Sequence, residues 1–218
     1  MPRTRRKEGL RDQLVSMKRD SILEAATRLM LERGYHGCSM DALADALGVT
    51  KPFIYYQFRD KAEILGAICR SGADLTLAAV EDCEALDVGH DARLRWFCVR
   101  LATIVVTHGQ FLAVYMRELT NLSEDYRHAI VRTRDEIDRR LSLLIAGGVR
   151  DGVFAVVDPL ISARAITGML SYIYMWHRDV DVMPDEELCR TMADIAMRTL
   201  FAAQPEAPRK RSRAHAQA

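Results

Sequence analysis

Residues 40–58, MDALADALGVTKPFIYYQF, decide the reading of this chain. Met40, Leu43, Ala44 and Leu47 recur at helical spacing and form one apolar stripe. Ser39 stands just before them, where its hydroxyl can accept from the first free amides. Gly48 tolerates positive φ and stops the helix. Thr50 is placed to cap a second helix, and Pro52 fits its first turn, where no N–H is needed. That second helix is short and carries Phe53, Tyr55, Tyr56 and Gln57. Helix, glycine turn and helix is the helix-turn-helix pattern, whose second helix enters the DNA major groove.

The flanks sharpen this reading. A helix with Ile22, Ala26 and Leu29 on one face precedes the motif and ends at Glu32-Arg33-Gly34-Tyr35. Asp60 and Glu63 follow, spaced as a capping box that opens a further helix. Residues 25–65 closely resemble the N-terminal domain of the TetR family of bacterial transcription regulators. The family's usual Tyr-Tyr-His-Phe reads Tyr55-Tyr56-Gln57-Phe58 here, a departure that touches one phosphate contact.

The resemblance implies a DNA-binding surface made of Ser39, Met40, Thr50, Lys51, Pro52, Phe53, Tyr55, Tyr56, Gln57 and Lys61. Lys51 can bond a guanine edge or a phosphate. Tyr55 and Tyr56 offer hydroxyls to phosphates and ring faces to a thymine methyl or a sugar. Ser39 and Lys61 lie where family members usually touch the DNA backbone, contacts that position the protein while base contacts specify the sequence. For Phe53 and Ile54, packing in the small domain is the competing role.

Composition bounds the rest. The 218 residues suffice for one large or two small domains, and 49% hydrophobic content supports a sizeable core. No apolar run is read as approaching the ~18 residues of a membrane span, and no signal peptide is visible. The five cysteines (Cys38, Cys69, Cys83, Cys98, Cys189) are scattered and form no CxxC pair; reduced thiols and a cytoplasmic location are expected. Residues 1–61 carry twelve Lys/Arg against eight Asp/Glu, whereas residues 62–204 carry fifteen against twenty-one. That split suits phosphate contact at one end, and equally a chance fluctuation of a few charges.

The chain is read as all-α, with about nine helices. Residues 1–15 are expected to be a flexible basic arm, either tracking phosphates through Arg3, Arg5, Arg6 and Lys7 or simply solvated. Residues 16–62 form the three-helix DNA-binding domain, residues 63–204 a ligand-binding and dimerisation domain, and residues 205–218 a disordered basic tail. Helices are predicted over about 17–33, 61–85, 92–108 with a break at Gly109, 111–119, 123–147, 159–177 and 184–203. The 159–177 helix is apolar nearly all round, so it must be covered on more than one face. It is either the buried centre of a monomer or, with the last helix, a homodimer contact forming the family's four-helix bundle.

A ligand pocket is predicted from Trp96, Phe97, Arg100, Ile104, His108, Phe111, Tyr115, Met116, Arg134, Tyr172, Met175 and Trp176. An arginine among apolar residues needs an anionic partner. For Arg100 and Arg134 that partner is either a ligand or a neighbouring acid. Residues 146–179 look like the corresponding segment of TetR regulators that respond to acyl-CoA thioesters, through Gly148, Gly152, Phe154, Asp158-Pro159, Gly168-Met169-Leu170, Trp176 and Arg178. The resemblance implies a small hydrophobic effector of the acyl-CoA kind: an acyl chain in the tunnel, with phosphates near Arg117 and Arg178 at its mouth. A hydrophobic drug or aromatic compound suits the same aromatic set. No cofactor or metal is expected. No HExxH, GxSxG or glycine-rich phosphate loop occurs, and the six histidines are dispersed, which argues against an enzyme, a thioester-processing one included.

Overall fold

The computed structural model describes residues 3–177 and 183–201, with side chains from residue 18 onward. Eight α-helices are present among the described residues, with no strand. Helix α1 (Arg3–Gly37) is broken at Gly34, which takes φ 72° and stops the regular helix at its predicted end. Its start differs: the backbone is helical from Arg3, where the sequence predicts an irregular arm to residue 15. Arg, Lys, Glu and Leu are good helix formers, so a helix can extend without a clean apolar stripe.

Helices α2 (Met40–Leu47) and α3 (Lys51–Tyr55) form the motif. The Ser39 hydroxyl accepts from the Ala42 amide at 3.0 Å, and Gly48 sits in the left-handed region at φ 63°. Thr50 occupies the cap position of α3, but its side chain makes no cap bond. Helix α4 (Lys61–Ala85) opens with the Asp60 carboxylate accepting from the Glu63 amide at 2.8 Å. The reciprocal bond is shifted by one residue, with Glu63 accepting from the Arg59 amide at 2.8 Å. The Asp60 carboxyl is held below its usual range, the bond from the Glu63 amide being the largest cause.

Helix α5 (His90–Glu118) spans two predicted helices and breaks at His108 (φ −121°, ψ 16°), one residue before the expected Gly109. Helix α6 (Glu124–Arg150) follows a short 3₁₀ turn, Leu119–Asn121. Helix α7 (Pro159–Ser171) is capped by Asp158, tightens into a 3₁₀ turn over Tyr172–Met175, and so ends earlier than predicted. Helix α8 (Asp185–Arg198) closes the described chain.

Two apolar clusters organise these helices. One joins α1, α2, α3 and the first half of α4 around Ile22, Met30, Leu43, Ile54, Phe58 and Leu65. The other joins the rest around Phe97, Leu101, Leu141, Ile145, Leu170 and Ala193. The first cluster continues past the expected boundary at residue 62, taking in Phe111, Val114, Tyr115, Leu122 and Ile130 from the later helices and turn. An 18-residue window within His90–Asn121 reaches a mean hydropathy of 1.5, long and apolar enough to cross a membrane, where the sequence predicts no such run; half of that window is buried inside the protein.

Candidate DNA-binding and effector sites

Helix α3 and its end present Lys51, Pro52, Tyr55 and Tyr56 to solvent, with Tyr55 51% and Tyr56 76% exposed. Two bare tyrosine rings at one short helix leave hydroxyls and apolar faces unspent, the features a backbone- and methyl-reading element needs. The opposite side is anchored. Ile54 is fully buried and Phe53 half-buried against the same cluster, with the Lys18 ammonium 5.5 Å from the Phe53 ring centroid. Arg19 ties down the end of α3: it donates to the Gln57 carbonyl at 3.0 Å, and its guanidinium lies 4.0 Å from the centroid of Phe58. Sequence reasoning misses Arg19; a cation one turn before the apolar stripe that begins at Ile22 is the available signal.

Lys51 pairs with Asp41 of α2 at 2.6 Å, which raises its pKa through that hydrogen bond. Exposed pairs of this kind contribute little net stability, so a phosphate can take the place of Asp41. Lys61 is occupied within the domain: its ammonium donates to the Tyr35 carbonyl at 2.8 Å and sits 4.1 Å from the Tyr35 ring centroid. Ser39 and Thr50 are exposed, Met40 half-buried.

A cavity of about 380 Å³ lies between α4, α5, α6 and α7. Of the predicted lining, Ile104, His108, Phe111, Tyr115, Met116, Arg134 and Tyr172 are brought together there. His108 and Phe111 stack with centroids 5.8 Å apart and planes within 7°. The Arg134 guanidinium lies 5.0 Å from the Tyr115 ring centroid.

The matches to known proteins cover both halves. Residues 22–68 match the family described as bacterial regulatory proteins, tetR family, and residues 87–200 match the tetracyclin repressor-like C-terminal domain. The chain belongs to the TetR family of transcription regulators. It is a DNA-binding regulator and not an enzyme. The crystal structure of PfmR from Thermus thermophilus is 31% identical, covers 81% of this chain and 97% of its own, and superposes with a TM-score of 0.72. AibR, solved with isovaleryl coenzyme A and operator DNA, is 27% identical, covers 84% of this chain and 98% of its own, and gives 0.68. The transcriptional activator FasR of Mycolicibacterium smegmatis is 33% identical over 78 residues, 36% of each chain, so the match spans about a third of that relative.

Several predicted ligand residues in this TetR-family chain lie elsewhere. Arg100 is exposed and outside the cavity, while Leu101, Ile104 and His108 of the same helix turn into it. Trp96 and Trp176 pack half-buried against the larger cluster, and Phe97 is fully buried in it. Met175 is half-exposed and does not line the cavity. Arg117 is spent on the DNA-binding domain, its guanidinium donating to the Leu31 carbonyl at 2.5 Å. Arg178 lies outside the described residues, as do the side chains of the basic arm and the tail from residue 205. The sequence reading misses the α4 wall (Cys69, Gly72, Ala73, Thr76) and the α7 wall (Arg164, Thr167, Gly168, Ser171). Gly72 and Ala73, small residues side by side in a long helix, are the signal: they cut the profile of α4 and leave room.

Proposed function

We propose that this protein is a cytoplasmic, homodimeric operator-binding repressor that leaves DNA when a small hydrophobic effector fills the cavity. One observation carries the coupling. Cys69, Phe111, Tyr115 and Ile130 line the cavity and also belong to the apolar cluster of the DNA-binding domain. A ligand that displaces them shifts the packing on which α1–α4 rest. The end of α5 is bonded to α1 as well, through Arg117 to the Leu31 carbonyl and through Glu118, which accepts from the Tyr35 amide at 3.2 Å. Effector occupancy therefore selects between orientations of the recognition helices, with a coupling energy of typically ~1–3 kcal/mol.

Dimerisation through α7 and α8 is supported by exposed Leu160, Ile161 and Ile195 on those helices. A single short recognition helix reads too few base pairs to select a genomic site, so two copies on half-sites about one helical turn apart supply the rest. An acyl-CoA effector is supported by the likeness to AibR, solved with isovaleryl coenzyme A. A second reading, an aromatic compound or drug, is favoured by the His108–Phe111 stack. FasR is named an activator, so the sign of regulation needs its own assay. The test is a promoter–reporter assay on the DNA beside this protein's own gene. Expression that rises on deletion of the protein and on feeding an effector precursor supports repression. Expression that falls on deletion makes the protein an activator.

A further inference from the structure

The cavity is apolar in most of its wall, and one of its cations stands without an acid partner among the described residues. Three charged side chains line it: Arg134, Asp138 and Arg164. Arg164 is neutralised, donating to Asp138 at 2.9 Å with Asp135 at 4.0 Å. Arg134 makes no ion pair among the described residues, and its guanidinium rests on the Tyr115 ring instead. Arg164 is thus met by two aspartates and Arg134 by no described acid.

Of the hydroxyls that line the cavity, those of Thr76 and Thr167 are already committed, while Tyr115, Ser171, Tyr172 and Tyr174 add neutral donors to its wall. Thr76 donates to the Gly72 carbonyl at 2.8 Å and Thr167 to the Ala163 carbonyl at 3.0 Å. A threonine hydroxyl has one proton to give, so neither can serve a ligand as donor in this arrangement. Arg134 is exposed, so it stands at the rim of the cavity; with five N–H groups and no carboxylate it is the one charged donor of the wall left unpaired among the described residues, and a charged donor beside an apolar chamber gains from an oxygen-bearing or anionic acceptor. The size of the chamber adds a second restriction. About 380 Å³ lies near the low end of the ~300–1,000 Å³ that small-molecule sites span.

We infer that Arg134 is the head-group residue of the effector site and that the effector is a compact acyl compound, short, branched or monocyclic. Its carboxylate or thioester oxygen meets Arg134, and its apolar body fills the space between Ile104, Phe111 and Ile137. A CoA moiety, where one is attached, lies outside the chamber. This rests on the effector reading of the cavity and adds the chemistry of what binds there.

The test uses the full chain and a probe panel: isovalerate and benzoate, their CoA thioesters, palmitoyl-CoA, and the cationic isosteres isopentylamine and benzylamine. Binding is measured by calorimetry on wild type, Arg134→Lys, Arg134→Gln and Arg134→Glu, with operator binding of the wild type measured on the same preparation. Wild type is expected to bind at least one short acid or thioester and to reject its amine. Arg134→Gln should lose about tenfold or more, Arg134→Lys should restore part of it, and Arg134→Glu should prefer the amine. A preference unchanged by charge reversal, equal affinity for acid and amine, tighter binding of palmitoyl-CoA than of every short probe, or binding of no acid or thioester each overturns the inference. Failure of the wild type to bind operator would instead sink the regulator reading, because the head-group preference is measured without DNA.

Discussion

Gly66 marks a close approach of α6 to α4. A Cβ there would fall 2.5 Å from the Tyr126 ring, so any larger residue requires that ring to shift. Gly66→Ala is expected to cost about 1–3 kcal/mol through forced displacement of that ring, and a thermal melt should show the midpoint falling by several degrees. An unchanged midpoint would mean the ring moves freely. The cysteines give a second prediction at this scale. All five are buried and free. Burial pushes Cys69 and Cys98 up to about 12 and Cys83 up to about 11, from 9.0. A raised folded pKa means the unfolded chain gives up these protons first. Stability from this source is complete below pH 9 and is lost as pH rises from there toward 12. Denaturant midpoints measured from about pH 8 to 11 should hold to about pH 9 and fall from there, and thiol reagents at about pH 8 should label the native protein far more slowly than the unfolded one. A flat profile would contradict the burial.

The helices themselves are legible where a local chemical stop or start fixes them. Ser39, Gly48, Asp60 and Asp158 place the ends of α2, α4 and α7 where their spacing predicts, because caps act over three or four residues. The kink at His108 reads from sequence as a break one residue late, since the neighbouring Gly109 carries the stronger local signal. The cavity is legible only in part. Its wall takes one face from each of four helices, and sequence alone does not fix which face of α5 turns inward; Arg100 reads as inward and stands outward. Arg117 reads as free for phosphates, yet its partner is a backbone carbonyl of α1, 86 positions away, which no spacing rule reaches. The α4 wall carries no aromatic or charged flag at all. The cavity's role yields a prediction for the elements around it. Ile104 lines it and is 5% exposed. Ile104→Trp should occupy the space an effector would take, reducing effector binding by at least about tenfold. Calorimetry checks this, and a variant that binds effectors as wild type does would place the effector elsewhere.

At the scale of the whole molecule, charge and shape are divided. Basic residues gather in the first 61 positions, and an acidic excess spreads over the body that follows. Such a division directs phosphate contact to the end where Tyr55 and Tyr56 stand exposed. Affinity for DNA should therefore fall steeply with salt, linearly in log–log form, with a slope that counts the neutralised phosphates. Tyr56→Ala should weaken binding to every duplex, whereas a change at a base-reading position should alter which duplex is preferred. On the function proposed above, two copies of this chain read a palindrome and release it on binding an effector. The most direct test is a titration of the full chain against the DNA beside its own gene and against a scrambled duplex of equal length, across a salt series, with and without the acyl panel. The expected result is two chains per palindrome, a preference of about a thousandfold or more over the scrambled duplex, and release by one member of the panel. Equal affinity for both duplexes, or one chain saturating the site, would contradict it.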